Sequence, residues 1–334
     1  MRKLLPILLA LSVVVMFLGV YVGSVELSPS DVTDSIVYGI KRALLGESPA
    51  EKPKYFIIIW EFRLPRVLLA YLVGLSLASA GVASQALFKN PMADPYIIGI
   101  SGGASIGAAL GLIYFPNHVS LLSFAFAILS VYVVYTVAKV DGRIPVDTLL
   151  LSGVAFGFMA NAVTSYLVLT LGPRAHLTYM WLMGSFNGAD WEKVRNVFLA
   201  SLFGLSFLIW KWKELNVLLL GEEGVALGLD VDTFRKFVVV VVAVMSAVSV
   251  ASAGIIGFVG LIGPHIARIL VGPNHKRLTL NAALIGGILM VLADLLARTI
   301  SRPTEIPVGI VTAMMGGPFF LYLLRKHKRG EVLT

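Results

Sequence analysis

Asp294 lies in the apolar run Leu280–Ala297, and Arg298 closes that run four residues later on the same helical face, where a carboxylate and a guanidinium can pair. Ionisable groups inside such runs are the default functional candidates of a membrane protein. The pair reads either as a substrate contact or as a structural ion pair near a helix end. Arg63-Leu64-Pro65-Arg66 places two more guanidiniums where another apolar run begins, with Pro65 suited to a first helical turn. They are either interfacial anchors with their stems along apolar surface or a receiving site for acidic groups. The turn Phe88–Pro95 (FKNPMADP) carries two prolines and Asn90, which break any helix and make an ordinary tight turn or a constriction. The stretch Leu215–Val231 (LNVLLLGEEGVALGLDV) is too polar and glycine-broken to span a bilayer, yet too apolar for a solvated linker. Glu222 and Glu223 open a short helix at its favourable end, and Gly228 is placed to close it in a left-handed cap. It is a docking patch for another protein or a turn lying on the membrane surface.

Other chemistries are missing from the chain. No stretch has the GxxxxGK[ST] pattern that cradles phosphates, so the chain does not hydrolyse ATP itself. The five histidines are scattered, and His265 beside Pro264 reads as structural rather than as a metal ligand. Serine, histidine and acid do not group at catalytic spacing, and the absence of cysteine excludes disulfides and thiolate metal sites. Neither an enzyme nor a metal site is expected.

These residues are set among membrane spans. Of 334 residues 57% are hydrophobic and 14% charged, with mean hydropathy +0.87, whereas a soluble domain carries roughly 25% charged residues. A span needs about 20 apolar residues, so ten spans use up the chain as one transmembrane domain, residues 1–334. The expected spans are Leu4–Tyr21, Leu64–Ala83, Tyr96–Phe115, Leu121–Ala138, Leu149–Leu171, Val197–Trp212, Phe237–Ile256, a short broken helix within 257–272, Leu280–Ala297 and Ile306–Leu324. Gly103, Gly107 and Gly111, every fourth residue in the third span, allow close helix approach. The glycines at 257, 260 and 263 followed by Pro264 predict a turn and a broken helix, tolerated only inside the bundle. Ser30 is the expected cap of a surface helix in the first connector. Residues 172–191 form an aromatic-rich re-entry segment.

Arg2 and Lys3 before the first span read as a retained anchor with a cytoplasmic N-terminus, since no cleavage site is convincing. Alternating from there, the cytoplasmic side collects more than half of the 27 basic residues, among them Lys89, Arg143, Lys211, Lys276 and Arg329. This is the positive-inside pattern. Both termini and Leu215–Val231 then face the cytoplasm. The net charge of +8 forms no stripe, so nucleic acid is not an expected partner.

With these residues assembled, the chain resembles the permeases of the iron-siderophore and cobalamin ABC importer family from about Leu27 to Leu324. The resemblance is carried in order by LSPSDV, EFRLPRVLLAYLVGLSLASAGVASQALFKNPMADPYIIGISGGASIG, LLLSGVA, YMWLMGSFNGADW, GFVGLIGPHIAR and ADLLARTISRPTEIPVGIVTAMMGGPFFLYLL. It implies an all-α polytopic protein with the ten-helix type II importer fold and a homodimer enclosing the pathway. Two ATP-binding cassette subunits would dock on the cytoplasmic side, holding ATP and magnesium, with no cofactor in this chain. A substrate-binding protein would dock outside. Position by position, Arg63, Arg66 and Arg298 match arginines that receive its acidic residues. Asn90 and Met92 match a cytoplasmic gate, and Val146 and Asp147 fall near a second gate whose small hydroxyl residues they lack. The segment at about 213–232 matches paired coupling helices, carried by Leu218, Leu219, Gly221, Glu222, Val225, Ala226, Leu227 and Gly228. Its two glycines are seven apart where the family pattern has eight, so the second short helix is expected to lose a residue. The implied activity is import of a metal chelate by alternating access. A ferric siderophore is the first choice among siderophore, haem, cobalamin and molybdate or tungstate. The rival is an ion-coupled secondary carrier, which the lack of acidic residues other than Asp294 within spans disfavours.

Overall fold

The computed structural model describes residues 4–23, 25, 27–46, 52–140, 144–172 and 175–328, and omits the side chains of Glu222, Leu324 and Lys326–Lys328. Of the connector cations, Arg2, Lys3, Arg143 and Arg329 lie outside the described residues. Thirteen α-helices and no strand occur among those described. In chain order they are α1 (Leu4–Tyr21), α2 (Pro29–Leu45), α3 (Leu64–Leu87), α4 (Ile100–Tyr114), α5 (Val119–Ala138), α6 (Val146–Thr170) and α7 (Ala175–Leu182). They continue with α8 (Trp191–Trp210), α9 (Trp212–Leu218), α10 (Val231–Ala253), α11 (Val259–Val271), α12 (His275–Ala297) and α13 (Val308–Lys328). A π-helical turn, Ile58–Arg63, leads into α3, and 3-10 turns at Pro95–Ile98 and Gly221–Leu227 precede α4 and α10. Seven helices are long and apolar enough to cross a bilayer, and Ile100–Tyr114, Val259–Val271 and Val308–Leu323 are shorter apolar helices.

The bundle is built on α3, whose residues from Val73 onward are almost all buried. Its contact with α12 is set by glycine, because a Cβ on either Gly74 or Gly286 would overlap the backbone oxygen of the other. With little hydrophobic gain between helices already in lipid, such close backbone approach is what holds them together. One apolar cluster gathers α1, α3, α11 and α12, and a second gathers the far half of α3 with α4, α5, α9 and α10. The glycines of α4 behave as their spacing predicts. Gly103, Gly107 and Gly111 all face α5, meeting Phe126 O, Leu122 O and Val119 Cα.

Two local expectations change. Ser28, not Ser30, caps α2: its hydroxyl accepts from Asp31 N at 3.1 Å, and Asp31 Oδ2 accepts from Ser28 N at 2.8 Å. Pro29 occupies the first helical position, where no donor is needed, so the capping box closes one turn earlier. The eighth span is not broken at Pro264, which lies inside continuous α11. Proline removes the donor that Gly260 O would otherwise meet, and that carbonyl instead lies against the bare Cα of Gly81. The unwound residues lie before α11, with Gly254 and Phe258 at φ 74 and 70. Ile256 and Val259 are buried there, as irregular backbone at that depth requires. The segment after α7 turns back into the bundle, where Ser185 N donates to Ala253 O at 2.8 Å.

Gly286→Leu should overpack the α3–α12 contact and cost about 1–3 kcal/mol, seen as a lower melting temperature of the purified protein. Gly157→Ala, whose added carbon meets nothing within 4 Å, should melt no lower than the unaltered chain. Equal melting of the two variants would refute the glycine contact as the organising one.

Candidate functional site

The residues singled out in the sequence fall at the two ends of α3. At its start, Arg63, Arg66 and Arg298 converge. Arg63 is 8% exposed and donates to Val20 O (3.0 Å), Tyr21 O (2.9 Å) and Val25 O (2.7 Å). Arg298, equally buried, donates to Val22 O at 3.0 Å and to Gly19 O. The last carbonyls of a helix lack intrahelical partners and carry its negative end. Two guanidiniums therefore cap the end of α1. Asp294, 1% exposed, is held between Arg66 Nη2 at 2.9 Å and Arg298 Nε at 3.2 Å. Arg66 also pairs with Glu305 at 2.9 Å. The expected Asp294–Arg298 pair is present, but it belongs to a larger network in which carbonyls of α1 supply much of the counter-charge. Arg302 and Glu305 are exposed at its rim.

At the far end of α3 lies the Phe88–Pro95 turn. Asn90 Oδ1 accepts from Met92 N at 2.8 Å, and Asp94 Oδ1 accepts from Tyr96 N at 2.9 Å, so both short side chains shape the turn around its prolines. Lys89 takes φ 49, a left-handed conformation uncommon outside glycine. Pro91 and Met92 line an apolar crevice with Phe258, Ile262, His265 and Phe319. Val146 and Asp147 lie elsewhere, in the first turn of α6. Val146 packs on the second core cluster and Asp147 is exposed, its carboxylate at the helix N-terminus. Among the described residues no hydrogen bond or ion pair joins Asn90 or Met92 to either of them.

The Leu215–Val231 stretch is a knuckle of two short helices. Leu215 and Leu218, three apart on α9, are fully buried against the second core cluster. Leu219, Leu220, Val225, Ala226 and Leu227 point outward. The second helix is the 3-10 turn Gly221–Leu227, ended by Gly228 at φ 82, the left-handed cap that its position predicts. A 3-10 helix rises about 2.0 Å per residue against about 1.5 Å for α. This winding recovers length across the seven-residue glycine spacing. The backbone of Glu222 belongs to this turn, and its side chain is among those not described.

A contact that the sequence did not indicate joins the knuckle to the turn. Lys89 Nζ lies directly over Gly221, where a Cβ would collide with it. The only sequence signal was Gly221 itself, a residue without a side chain beside a connector lysine.

A profile of the FecCD transport family matches residues 10–326. The cobalamin import system permease BtuC of Halobacterium salinarum is 44% identical over 277 residues, covering 81% of this chain and 74% of the relative. The iron(3+)-hydroxamate import permease FhuG of Bacillus subtilis is 34% identical over 330 residues, covering 95% and 94%. The Fe(3+)-citrate import permease YfmD of the same organism is 36% identical over 330 residues, covering 98% and 96%. Among solved structures, an inward-facing conformation of a metal-chelate type ABC transporter matches at TM-score 0.85 and 31% identity, covering 98% of this chain and all of that one.

Asp294→Ala should leave Arg66 and Arg298 facing each other without their carboxylate, costing about 3–5 kcal/mol and lowering the melting temperature sharply. Glu305→Ala, at the exposed rim, should cost about 0–1 kcal/mol. Comparable losses from the two would contradict the network described.

Proposed function

The chain belongs to the FecCD transport family, the permeases of ABC importers for siderophores, cobalamin and other metal chelates, and from that premise we propose how its two ends work. The observation that carries the proposal is the knuckle. Its inner leucines are locked into the bundle, its outer leucines and valine are presented to a partner, and its Gly221 touches the turn that holds Asn90 and Met92.

The seven long apolar helices and the three shorter ones together make ten spans, with both termini and the knuckle on the cytoplasmic side of the cell membrane. Two copies enclose the pathway as a homodimer. An ATP-binding cassette subunit docks on each knuckle through Leu219, Val225, Ala226 and Leu227, and supplies the ATP and magnesium chemistry that this chain lacks. Closure of the ATPases displaces the knuckle. Because Leu215 and Leu218 fasten it to the core, displacement is transmitted rather than absorbed locally. The gate turn then moves, and chelate passes Asn90 and Met92 when the ATPases part. Val146 and Asp147 serve as a second, separate constriction at the start of α6.

The opposite end receives the external substrate-binding protein. Arg302 and Glu305 form the accessible face, backed by mostly buried Arg66, and Arg63 and Arg298 hold it rigid from beneath. This positive face suits acidic residues on the partner. Asp294, 1% exposed, is committed to two arginines at one end of the bundle, and half-buried Asp94 is committed to Tyr96 N in the turn at the other. A proton or sodium relay needs a titratable acid deeper in the membrane, so the geometry favours the ATP-driven reading over an ion-coupled carrier. The substrate is a metal chelate, with ferric siderophores first. Cobalamin stands beside them because of the Halobacterium relative at 44% identity.

The test is uptake of radioiron-labelled ferric hydroxamate, ferric citrate and labelled cobalamin into proteoliposomes holding the permease, its ATPase and its binding protein. Accumulation should require ATP and the binding protein. Uptake by this chain alone under an ion gradient would overturn the reading. In the same preparation Leu227→Asp should lose the ATPase, with affinity reduced about tenfold or more, while retaining the binding protein. Arg302→Glu, at the exposed rim, should do the reverse.

A further inference from the structure

The knuckle and the gate turn are joined by two sets of contacts, and both sets end on the same few residues of the turn. The first is direct, since Lys89 Nζ rests over Gly221. The second runs through the corner between α11 and α12. This corner spans only Gly272, Pro273 and Asn274, with Gly272 at φ 83, and Gly272 N donates to Arg268 O at 2.9 Å. On one side the corner grips α9. Asn216 Oδ1 accepts from His275 N at 3.1 Å and from His275 Nδ1 at 2.7 Å, and Asn216 Nδ2 donates to Asn274 Oδ1 at 3.3 Å. On the other side it grips the end of α3, where Arg268 Nη2 donates to Gln85 Oε1 at 2.6 Å. Gln85 then holds the turn itself, its backbone oxygen accepting from Asn90 N at 3.1 Å.

We infer that the α11–α12 corner is the transmission between the ATPase-docking knuckle and the gate turn, with Asn216, Arg268, Gln85 and Lys89 as its positioning residues. The inference rests on the importer reading. Coupling between two sites needs an element whose equilibrium both can bias, not only residues lying between them. The turn is such an element. Lys89 sits in left-handed backbone, which a residue with a side chain occupies at a cost unless its surroundings hold it there. What surrounds it here is Gly221 on the knuckle and the Asn90–Gln85 hydrogen bond anchored through Arg268. Gln85 itself is 2% exposed, and its Nε2 has no protein partner among the described residues. A buried donor left unpaired is an unfavourable arrangement, so the Gln85 site gains from a rearrangement that pairs it. Moving the knuckle withdraws Gly221 from Lys89 and pulls Asn216 on the corner, loosening both restraints on the strained turn together. His275, 3% exposed, serves as the fixed pivot against which Asn216 acts.

The test compares chelate moved per ATP hydrolysed in the reconstituted complex of permease, ATPase and binding protein. Radioiron-labelled ferric hydroxamate and labelled cobalamin are the probes. Asn216→Ala and Gln85→Leu should leave hydrolysis running and reduce chelate moved per ATP about five- to tenfold. Gln85→Glu keeps an acceptor for Arg268 and should restore the ratio, a rescue that a general loss of packing would not give. The double variant Asn216→Ala/Gln85→Leu should be no worse than either single change, because both interrupt one linkage. An unchanged ratio in the single variants, or additive losses in the double, would overturn the transmission. Should Gln85→Leu fail to fold, Asn216→Ala on half-buried α9 decides the matter alone. If the unaltered complex moves no probe with ATP, the importer reading falls and the transmission with it. That outcome is distinguishable, because it appears before any substitution is made.

Discussion

Glycine meets glycine where α3 crosses its neighbours, Gly74 against Gly286 and Gly81 against Gly260. These two contacts clamp α3 between α12 and α11. A bilayer offers no hydrophobic advantage for helices to associate, so side-chain-free surfaces that let backbones touch provide the packing. The clamp has a second consequence. It places Gly260 O against Gly81, which accommodates the proline that would otherwise break α11. α3 thereby becomes a stiff spine, with Arg63 and Arg66 at one end and Gln85 and Lys89 at the other.

Charge is arranged around that spine by the same solvent. The buried cations at one end are satisfied by the terminal carbonyls of α1 and by Asp294, so three arginines form a rigid cluster beneath the rim rather than flexible surface charge. At the other end the polar contacts are hydrogen bonds that join Asn216 to His275 and Asn274, and Arg268 to Gln85, with no ion pair among them. They are strong enough to define position and weak enough to be exchanged when a partner pushes. The contrast matches the work assigned to each end: one presents a fixed face to a binding protein, and the other rearranges with each cycle of an ATPase.

Much of this was legible in the sequence because it depends on local pattern. Apolar runs of spanning length located the membrane helices, the four-residue glycine spacing located the α4–α5 contact, and Gly228 announced its own left-handed cap. The i,i+4 spacing of Asp294 and Arg298 gave their pair. Errors arose where neighbouring residues competed: Pro29 shifted the α2 cap from Ser30 to Ser28, and Gly81 let α11 continue through Pro264. The long-range contacts were not legible. Arg63 meets carbonyls about forty residues away and Arg298 meets carbonyls more than two hundred and seventy residues away, and a backbone acceptor leaves no mark in sequence. Lys89 over Gly221 is the extreme case, since neither the glycine nor a lysine in a connector signals a contact between them. Val146 and Asp147, matched by position alone, share the first turn of α6, and among the described residues no hydrogen bond or ion pair joins them to Asn90 or Met92.

The gate turn is proposed to follow the ATPase through the knuckle. Because the chain has no cysteine, a single Met92→Cys substitution gives one reactive thiol at that turn. Its rate of reaction with a water-soluble maleimide can be measured in the reconstituted complex, with the ATPase either nucleotide-free or trapped with ATP. If the turn follows the knuckle, the rate changes between the two states, and the change vanishes when the knuckle cannot engage the ATPase. A rate at Met92→Cys that is the same in both states would contradict it.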